Sequence, residues 1–264
     1  MNRRHFLALA TAASVKTRHA GKVEIAFKSP GAQPNGMQAT PEGLWIIDQG
    51  ARSKAALVSY TDGKVLREFE TETDRSSGIT FDGASLWIGS TYSRETVRVD
   101  ALTGKTMERH FTPGAGVIYR QVGDPPPRSS PLSKHRPAAP TSQAAEPPST
   151  APGTGAHGQE WRDGKLWFAV PPSRMVYSID PRTWIVQSKF PVAGNRPHGI
   201  GWEGRYLWVT DSNLNAFFKH DPETGEMIEK IQLADTDPLP HGMTIWQGTL
   251  WYCDDVGVVC RMKL

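Results

Sequence analysis

The chain has no apolar run approaching the ~18 residues that a membrane-spanning helix needs. We therefore expect no integral membrane segment. It has no surplus of one charge either. The net charge of +3 is spread along 264 residues, without a basic face or an interleaved run of Lys/Arg and aromatics, which argues against a nucleic-acid partner. Hydrophobic residues make up a modest 38%, as expected of short strands and turns rather than long buried helices. Cysteine is scarce, with only Cys253 and Cys260, flanking a predicted turn at residues 254–257. Two readings stay open for them: a cross-strand disulfide in an oxidising compartment, or two small core residues.

What the chain does have is a repeat. A small or polar residue and Gly are followed, after about seven residues, by Leu-Trp. The pairs are Asn35-Gly36 with Leu44-Trp45, Ser77-Gly78 with Leu86-Trp87, His157-Gly158 with Leu166-Trp167, His198-Gly199 with Leu207-Trp208, and His241-Gly242 with Leu250-Trp251. The tryptophans stand 42, 80, 41 and 43 residues apart, and 80 is twice 40. A period of 40–45 residues built from short strands is the signature of a β-propeller with one four-stranded blade per repeat. The predicted fold is all-β: one five-bladed propeller over residues 21–264.

Both ends fit a ring. The fifth unit has only three strands before the chain stops, and residues 22–28 alternate polar and apolar side chains in the phase of a fourth, outermost strand. That strand would complete the last blade and remove its open edges. Between units two and three, residues 125–152 hold nine of the 21 prolines, with Ser, Ala and Thr around them. We read residues 114–155 as a largely disordered insertion. The spacing leaves room for a sixth blade there, but no Leu-Trp strand fills it. The first 20 residues read as an export signal or a disordered tail: Arg3-Arg4-x-Phe-Leu precedes a short apolar run, as in twin-arginine signals. The expected location is periplasmic or extracellular.

The candidate chemistry lies in the residue before each repeated Gly. Equivalent positions in successive blades form a ring at one channel mouth, here Asn35, Ser77, His157, His198 and His241. Three histidines on adjacent blades suit a shared divalent metal such as Zn, Fe, Mn or Ca, or acid–base chemistry without metal. Asp48, Asp211 and Asp254, at the ends of the Leu-Trp strands, and Arg196, beside Pro197-His198, are expected to add ligand-binding groups at the same mouth. Arg52, Arg94 and Arg174 recur in the following loops as further anion-binding candidates. Glu160, three residues past His157, is expected to point to the other blade face.

The phrases Pro-His-Gly-Ile with Leu-Trp-Val-Thr-Asp, and Gly-Lys-Leu-Trp-Phe, resemble repeats of the virginiamycin B (streptogramin) lyase family and, more loosely, NHL-type propellers. That resemblance implies metal-assisted lyase chemistry at the axis. The blade number and the Asp-Pro-x-Thr-Gly turn are similar to plant-type glutaminyl cyclotransferases, which are five-bladed. The inner strands of that family carry Gln-Gly-Leu and Glu-Gly-Leu signatures where this chain has Asn35, Ser77 and the histidines. The expected function is a small-molecule enzyme, most simply a metal-dependent lyase or hydrolase acting as a monomer, with no nucleotide or flavin cofactor. The alternatives are a non-catalytic binding propeller and a glutaminyl cyclotransferase-like acyltransferase.

Overall fold

The structure, a computed structural model, describes residues 15–50, 53–133 and 153–264. Among these residues there is no helix, and five sheets stand around a central channel. Blade 1 comprises Pro34–Thr40, Gly43–Asp48, Lys54–Val58 and Val65–Glu70 from axis to rim. Blade 2 comprises Ile79–Phe81, Ser85–Ser90, Glu95–Asp100 and Thr106–Phe111. Blade 3 follows with Gly158–Arg162, Lys165–Val170, Met175–Asp180 and Ile185–Pro191. Blade 4 holds Pro197–Glu203, Tyr206–Asp211, Ala216–His220 and Met227–Gln232. Blade 5 has Met243–Trp246, Thr249–Asp254 and Val258–Lys263, and Glu24–Lys28 pairs antiparallel on its outer edge. The ring closes as expected, with one strand from near the start of the chain and three from its end.

The Leu-Trp pair repeats because it glues blades together. Adjacent residues of a strand face opposite sides of the sheet. Trp45 therefore packs among Ile79, Leu86 and Ile88 of blade 2, while Leu44 packs back against Trp251 and Cys253 of blade 5. The same division recurs around the ring. Trp87 joins the core shared with blade 3, Trp167 that with blade 4, and Trp208 that with blade 5. Five clusters thus fill five interfaces.

The glycines of the repeat set the distance to the axis. A Cβ on Gly36 would lie 1.9 Å from the carbonyl oxygen of Ser77, and one on Gly158 would lie 2.1 Å from that of His198. A Cβ on Gly199 would meet the Met243 amide at 2.1 Å, and on Gly242 the Asn35 carbonyl at 2.6 Å. At these four glycines the innermost strand rests on the backbone of the next, with no room for a side chain; at Gly78 the nearest atom is the Gln159 Cγ, 2.7 Å from the Cβ position. The residue before the glycine is under no such restriction.

Three expectations change. Lys16–His19, inside the stretch read as a signal or tail, forms a fifth strand of blade 4, parallel to Met227–Gln232, with Arg18 Nε 2.7 Å from Glu229. The twin-arginine-like residues themselves lie outside the described residues. Cys253 and Cys260 cannot pair: Cys253 stands opposite Val259 and Cys260 opposite Tyr252, so the thiols face opposite sides of the sheet and enter different clusters. Finally, residues 114–133 of the Pro-rich insertion run across the mouth as a tied strap, while residues 134–152 lie outside the described residues. Arg174 grips Asp124 with both guanidinium ends at 2.8 and 2.6 Å. Asn195 donates to the Pro125 carbonyl, Arg128 donates to Asn213 and Asp235, and Ser130 donates to Asp254.

Candidate functional site

The five residues preceding the repeated glycines come together at one mouth, all of them buried. The loops that deliver them are braced by a second recurring contact. In four of the five blades the side chain three past the repeated tryptophan accepts a backbone N–H of the incoming loop; blade 3 has Val170 there. Asp48 accepts from Gln33 (2.6 Å), Asp211 from Arg196 (2.8 Å) and Asp254 from Leu239 (2.7 Å), and Ser90 takes the same part for Asp74 (2.8 Å). Asp48 and Asp211 also accept from Gly50 and Leu214, so their carboxylates are occupied in holding the loops. Neither lines the cavity that opens inside the ring.

A cavity of about 260 Å³ opens inside the ring, lined by Asn35, Gln49, Thr91, Tyr92, Thr154, His157, Arg196, His198 and Asp255, with Val117 and Ile118 of the strap as its apolar wall. Its blade 1–2 side is a neutral network. Asn35 donates to Gln49, and Gln49 and Thr91 donate to Ser77. The side formed by blades 3 and 4 is a chain of imidazoles whose tautomers follow from its far end. The Arg196 carbonyl can only accept, so His198 Nδ1 donates to it at 3.2 Å. His198 Nε2 then accepts from His157 Nδ1 at 3.2 Å. His157 Nε2 in turn accepts from the Thr154 hydroxyl at 2.6 Å. Burial, with the nearby Arg196 charge and His241 behind it, pushes His157 down to about 3; burial, with His157, His241 and Arg196 around it, also holds His198 well below the usual imidazole range. Both rings are neutral at physiological pH.

Arg196 lies half-buried beside this pair. Burial lowers its pKa, and Asp255 and Asp211 work in the opposite direction. Arginine stays charged in either case. Among the described residues its guanidinium makes no ion pair and no side-chain hydrogen bond. A cation on a cavity wall without a partner is suited to an anionic group from outside. The other loop arginines are committed elsewhere: Arg174 to Asp124, and Arg94 over the Phe111 ring at 5.7 Å. Arg52 lies outside the described residues.

The third histidine is different. His241 packs its ring edge-on to His198 at 4.7 Å between centroids, and burial pushes it down to about 4 against the pull of Asp255. It is 1% exposed, yet among the described residues neither ring nitrogen has a partner in good hydrogen-bonding geometry: Asp255 Oδ2 stands 3.5 Å from Nε2, and the backbone of Leu239 is near enough to favour the charged ring without closing a bond. A buried polar group left in this state costs about 1–3 kcal/mol. Burial, with Asp255 crowding beside it, raises Asp254 to about 7. His241, Asp254 and Asp255 form the single group, among the described residues, whose donor atoms lie within 4.8 Å of one another. The expected set of three histidines does not converge in this way, because His157 and His198 spend their nitrogens on each other, on Thr154 and on Arg196.

Below the mouth lies a second polar layer, at the third position past each ring residue: Gln38, Thr80, Glu160, Gly201 and Thr244. Glu160 does not turn away into a blade face. It reaches across the channel, past the side-chain-free Gly201, and accepts from Thr244 of blade 5 at 3.2 Å. Burial pushes it up to about 8, only partly offset by hydrogen bonds with Thr244 and Gln38. Gln49, Thr91, Tyr92 and Asp255, at the ends of the Leu-Trp strands, line the cavity as their place in the repeat suggests; sequence reasoning missed Thr154 and the strap residues, because none of them belongs to the repeat.

No protein-family model and no curated protein matches the chain. Solved structures do. The glutaminyl cyclase of Myxococcus xanthus superposes with a TM-score of 0.61 at 10% identity, over 95% of this chain and 100% of its own. A streptogramin B lyase superposes with a TM-score of 0.51 at 17% identity, over 92% and 97%. The likeness is one of fold. Both types of propeller that the repeats resemble are thus found again by shape, and the catalytic residues of neither are carried over.

Proposed function

We propose that the protein is an enzyme acting on a small molecule at the channel mouth, as a lyase or hydrolase. The observation that carries this reading is the neutral chain Thr154–His157–His198 sharing one cavity wall with the unpaired Arg196 guanidinium. A neutral imidazole has a nitrogen free to accept a proton, and a substrate anion paired with Arg196 would offset the positive charge that, with burial, lowers the basicity of His157. His157 takes the proton through Thr154: the hydroxyl gives its proton to His157 Nε2 as its oxygen takes one from the substrate. His198 holds the His157 ring through the Nδ1–H bond and steadies the imidazolium that forms. Arg196 pairs with a carboxylate or developing oxyanion next to the lost proton. In an elimination, the electron pair left on carbon expels the leaving group, and His157 returns its proton through Thr154 to that group. In a hydrolysis, the same relay draws the proton from an attacking water.

The Pro-rich strap supplies the roof and its apolar residues, which favour a substrate with an anionic end and a short apolar body. Glutaminyl cyclisation is a second reading, favoured by the full-length likeness to the Myxococcus enzyme. The ring is complete in one chain, in keeping with a monomer, and Arg3-Arg4 of the signal-like stretch favours export. The test is turnover of a panel of carboxylate-bearing esters, lactones and elimination substrates, a streptogramin B, and a peptide with N-terminal Gln, by wild type, Thr154→Val, His157→Gln and Arg196→Met. We expect a loss of at least about 100-fold in kcat for the first two variants, and a rise in KM for the third. A ligand that binds wild type and all three variants alike, with no turnover, would leave the protein a non-catalytic binder.

A further inference from the structure

We propose that His241, Asp254 and Asp255 bind one transition-metal dication of the Zn²⁺ type on the blade 5 side of the mouth. The site is separate from the Thr154–His157–His198 chain and does not depend on what that chain does. The expected three-histidine metal set is thereby replaced by one histidine and two carboxylates.

Three observations converge on it. The donor atoms of the three side chains lie within 4.8 Å of one another, and His241 Nε2 and Asp255 Oδ2 are already 3.5 Å apart. Ligands around a tetrahedral zinc are about 3.3 Å apart, so only the Asp254 oxygen has to close in. Second, the two carboxylates are sequence neighbours on one hairpin, and among the described residues neither forms an ion pair with Lys or Arg; Asp255 has His241 at 3.5 Å. Third, His241 is buried with both nitrogens unpaired, and Nε2 faces Asp255. A proton shared by the carboxylates would relieve their repulsion but leave His241 unsatisfied. A dication takes up Nε2 and both carboxylates at once, and leaves Nδ1 to carry the ring proton.

The surroundings fit as well. Asp254 is oriented through Oδ2, which accepts from Ser130 at 2.6 Å and from the Leu239 amide at 2.7 Å, while Oδ1 has only the Val256 amide at 3.3 Å. Oδ1 is therefore the oxygen available to an ion, and Ser130 and Leu239 are the outer partners that hold a ligating carboxylate in place. Asp255, 40% exposed in its side chain, borders the cavity and leaves coordination positions open to water or a ligand. The imidazole selects a transition metal over Ca²⁺ or Mg²⁺, which take oxygen donors.

The experiment uses the full chain, stripped with chelator, and titrates Zn²⁺ by calorimetry and Co²⁺ by visible absorption. Wild type should take up about one equivalent of each. His241→Gln and Asp255→Asn should weaken binding by at least about 100-fold, and Ser130→Ala by about 10-fold. His157→Gln should change it less than about threefold, and millimolar Ca²⁺ should not compete. Asp255 is half-exposed, so its Asn variant should melt like wild type and decide the matter if His241→Gln does not fold. No uptake of Zn²⁺ or Co²⁺ by wild type overturns the proposal, as does an Asp255→Asn variant that binds like wild type. Equal losses in His157→Gln and Asp255→Asn would restore the three-histidine site. Loss of turnover in Thr154→Val with Zn²⁺ uptake unchanged keeps the two readings apart.

Discussion

Glu160→Gln should make the protein more stable, and by an amount that depends on pH. Glu160 is 5% exposed in the channel, and its carboxyl stands at about 8 in the fold, against an ordinary value of 4.5. The folded state therefore holds a proton that the unfolded chain releases. Stability from this group is fully present below pH 4.5 and is lost as pH rises from there to about 8. At about 1.4 kcal/mol per unit, the loss is roughly 1 kcal/mol at pH 5, 3 at pH 7 and 4–5 at pH 8.5. Glutamine keeps the shape and the oxygen that accepts from Thr244 but does not titrate. Other titrating groups are common to both proteins and cancel in the difference. Urea unfolding at pH 5, 7 and 8.5 should give a gap, variant over wild type, that widens by about 3–4 kcal/mol across the series. Parallel stability profiles would falsify the reasoning, because they would mean that Glu160 is solvated and ionised in the folded protein.

Gly199→Ala should cost more than about 3 kcal/mol or prevent folding, because its Cβ has the Met243 amide 2.1 Å away and backbone cannot step aside; Gly204→Ala, in an open turn at φ 56°, should cost only about 1 kcal/mol, and chemical denaturation of both variants separates the two causes. Arg174→Ala should release the strap: burial disfavours the Asp124 charge, but the Arg174 guanidinium outweighs it and holds that carboxyl low. Limited proteolysis should then cut within residues 116–133 at least several times faster than in wild type, with a stability loss of about 1–3 kcal/mol. Unchanged cleavage would mean that the remaining strap contacts suffice.

The repeat was legible because each of its positions has one physical reason. Gly is forced by the backbone of the next blade, Leu by the preceding interface and Trp by the following one. The missing fourth strand was legible because an open edge needs a partner. Side-chain direction near the axis was not. Glu160 looked like a blade-face residue under strict alternation, yet innermost strands lie so close to the axis that a long side chain can cross the channel where a neighbour such as Gly201 has none. Asp48 and Asp211 read in the sequence as ligand-binding groups, because nothing in a sequence tells whether a carboxylate faces a cavity or the N–H of an incoming loop; Asp254 is braced in the same way and is the one proposed to hold an ion as well. The cysteines needed the hairpin register, which put them on opposite faces. Thr154 could not be found by period at all. It lies in a Pro/Gly stretch outside the blades, where the bridge between Gly116 and Thr154 and the Gly155 N–H to the Thr91 carbonyl hold it against His157.

The way the ring is built explains why its chemistry is uneven. Contact between blades at the axis is made by glycine and backbone, so the preceding residue is held at a fixed place without being asked for any particular side chain. Blades 1 and 2 put Asn35 and Ser77 there, knitted by Gln49 into a neutral wall. Blades 3 to 5 put three histidines there, with Arg196 on the approach to one and Asp255 beside another. The strap spans this same half, fastening to Arg174, Asn213 and Asp254 of the three histidine-bearing blades. Its fastening to Asp254 uses the oxygen that the proposed ion leaves free. Cation and roof would then tighten one carboxylate together, so a metal that binds there should also slow cleavage of the strap, and Ser130→Ala should uncouple the two.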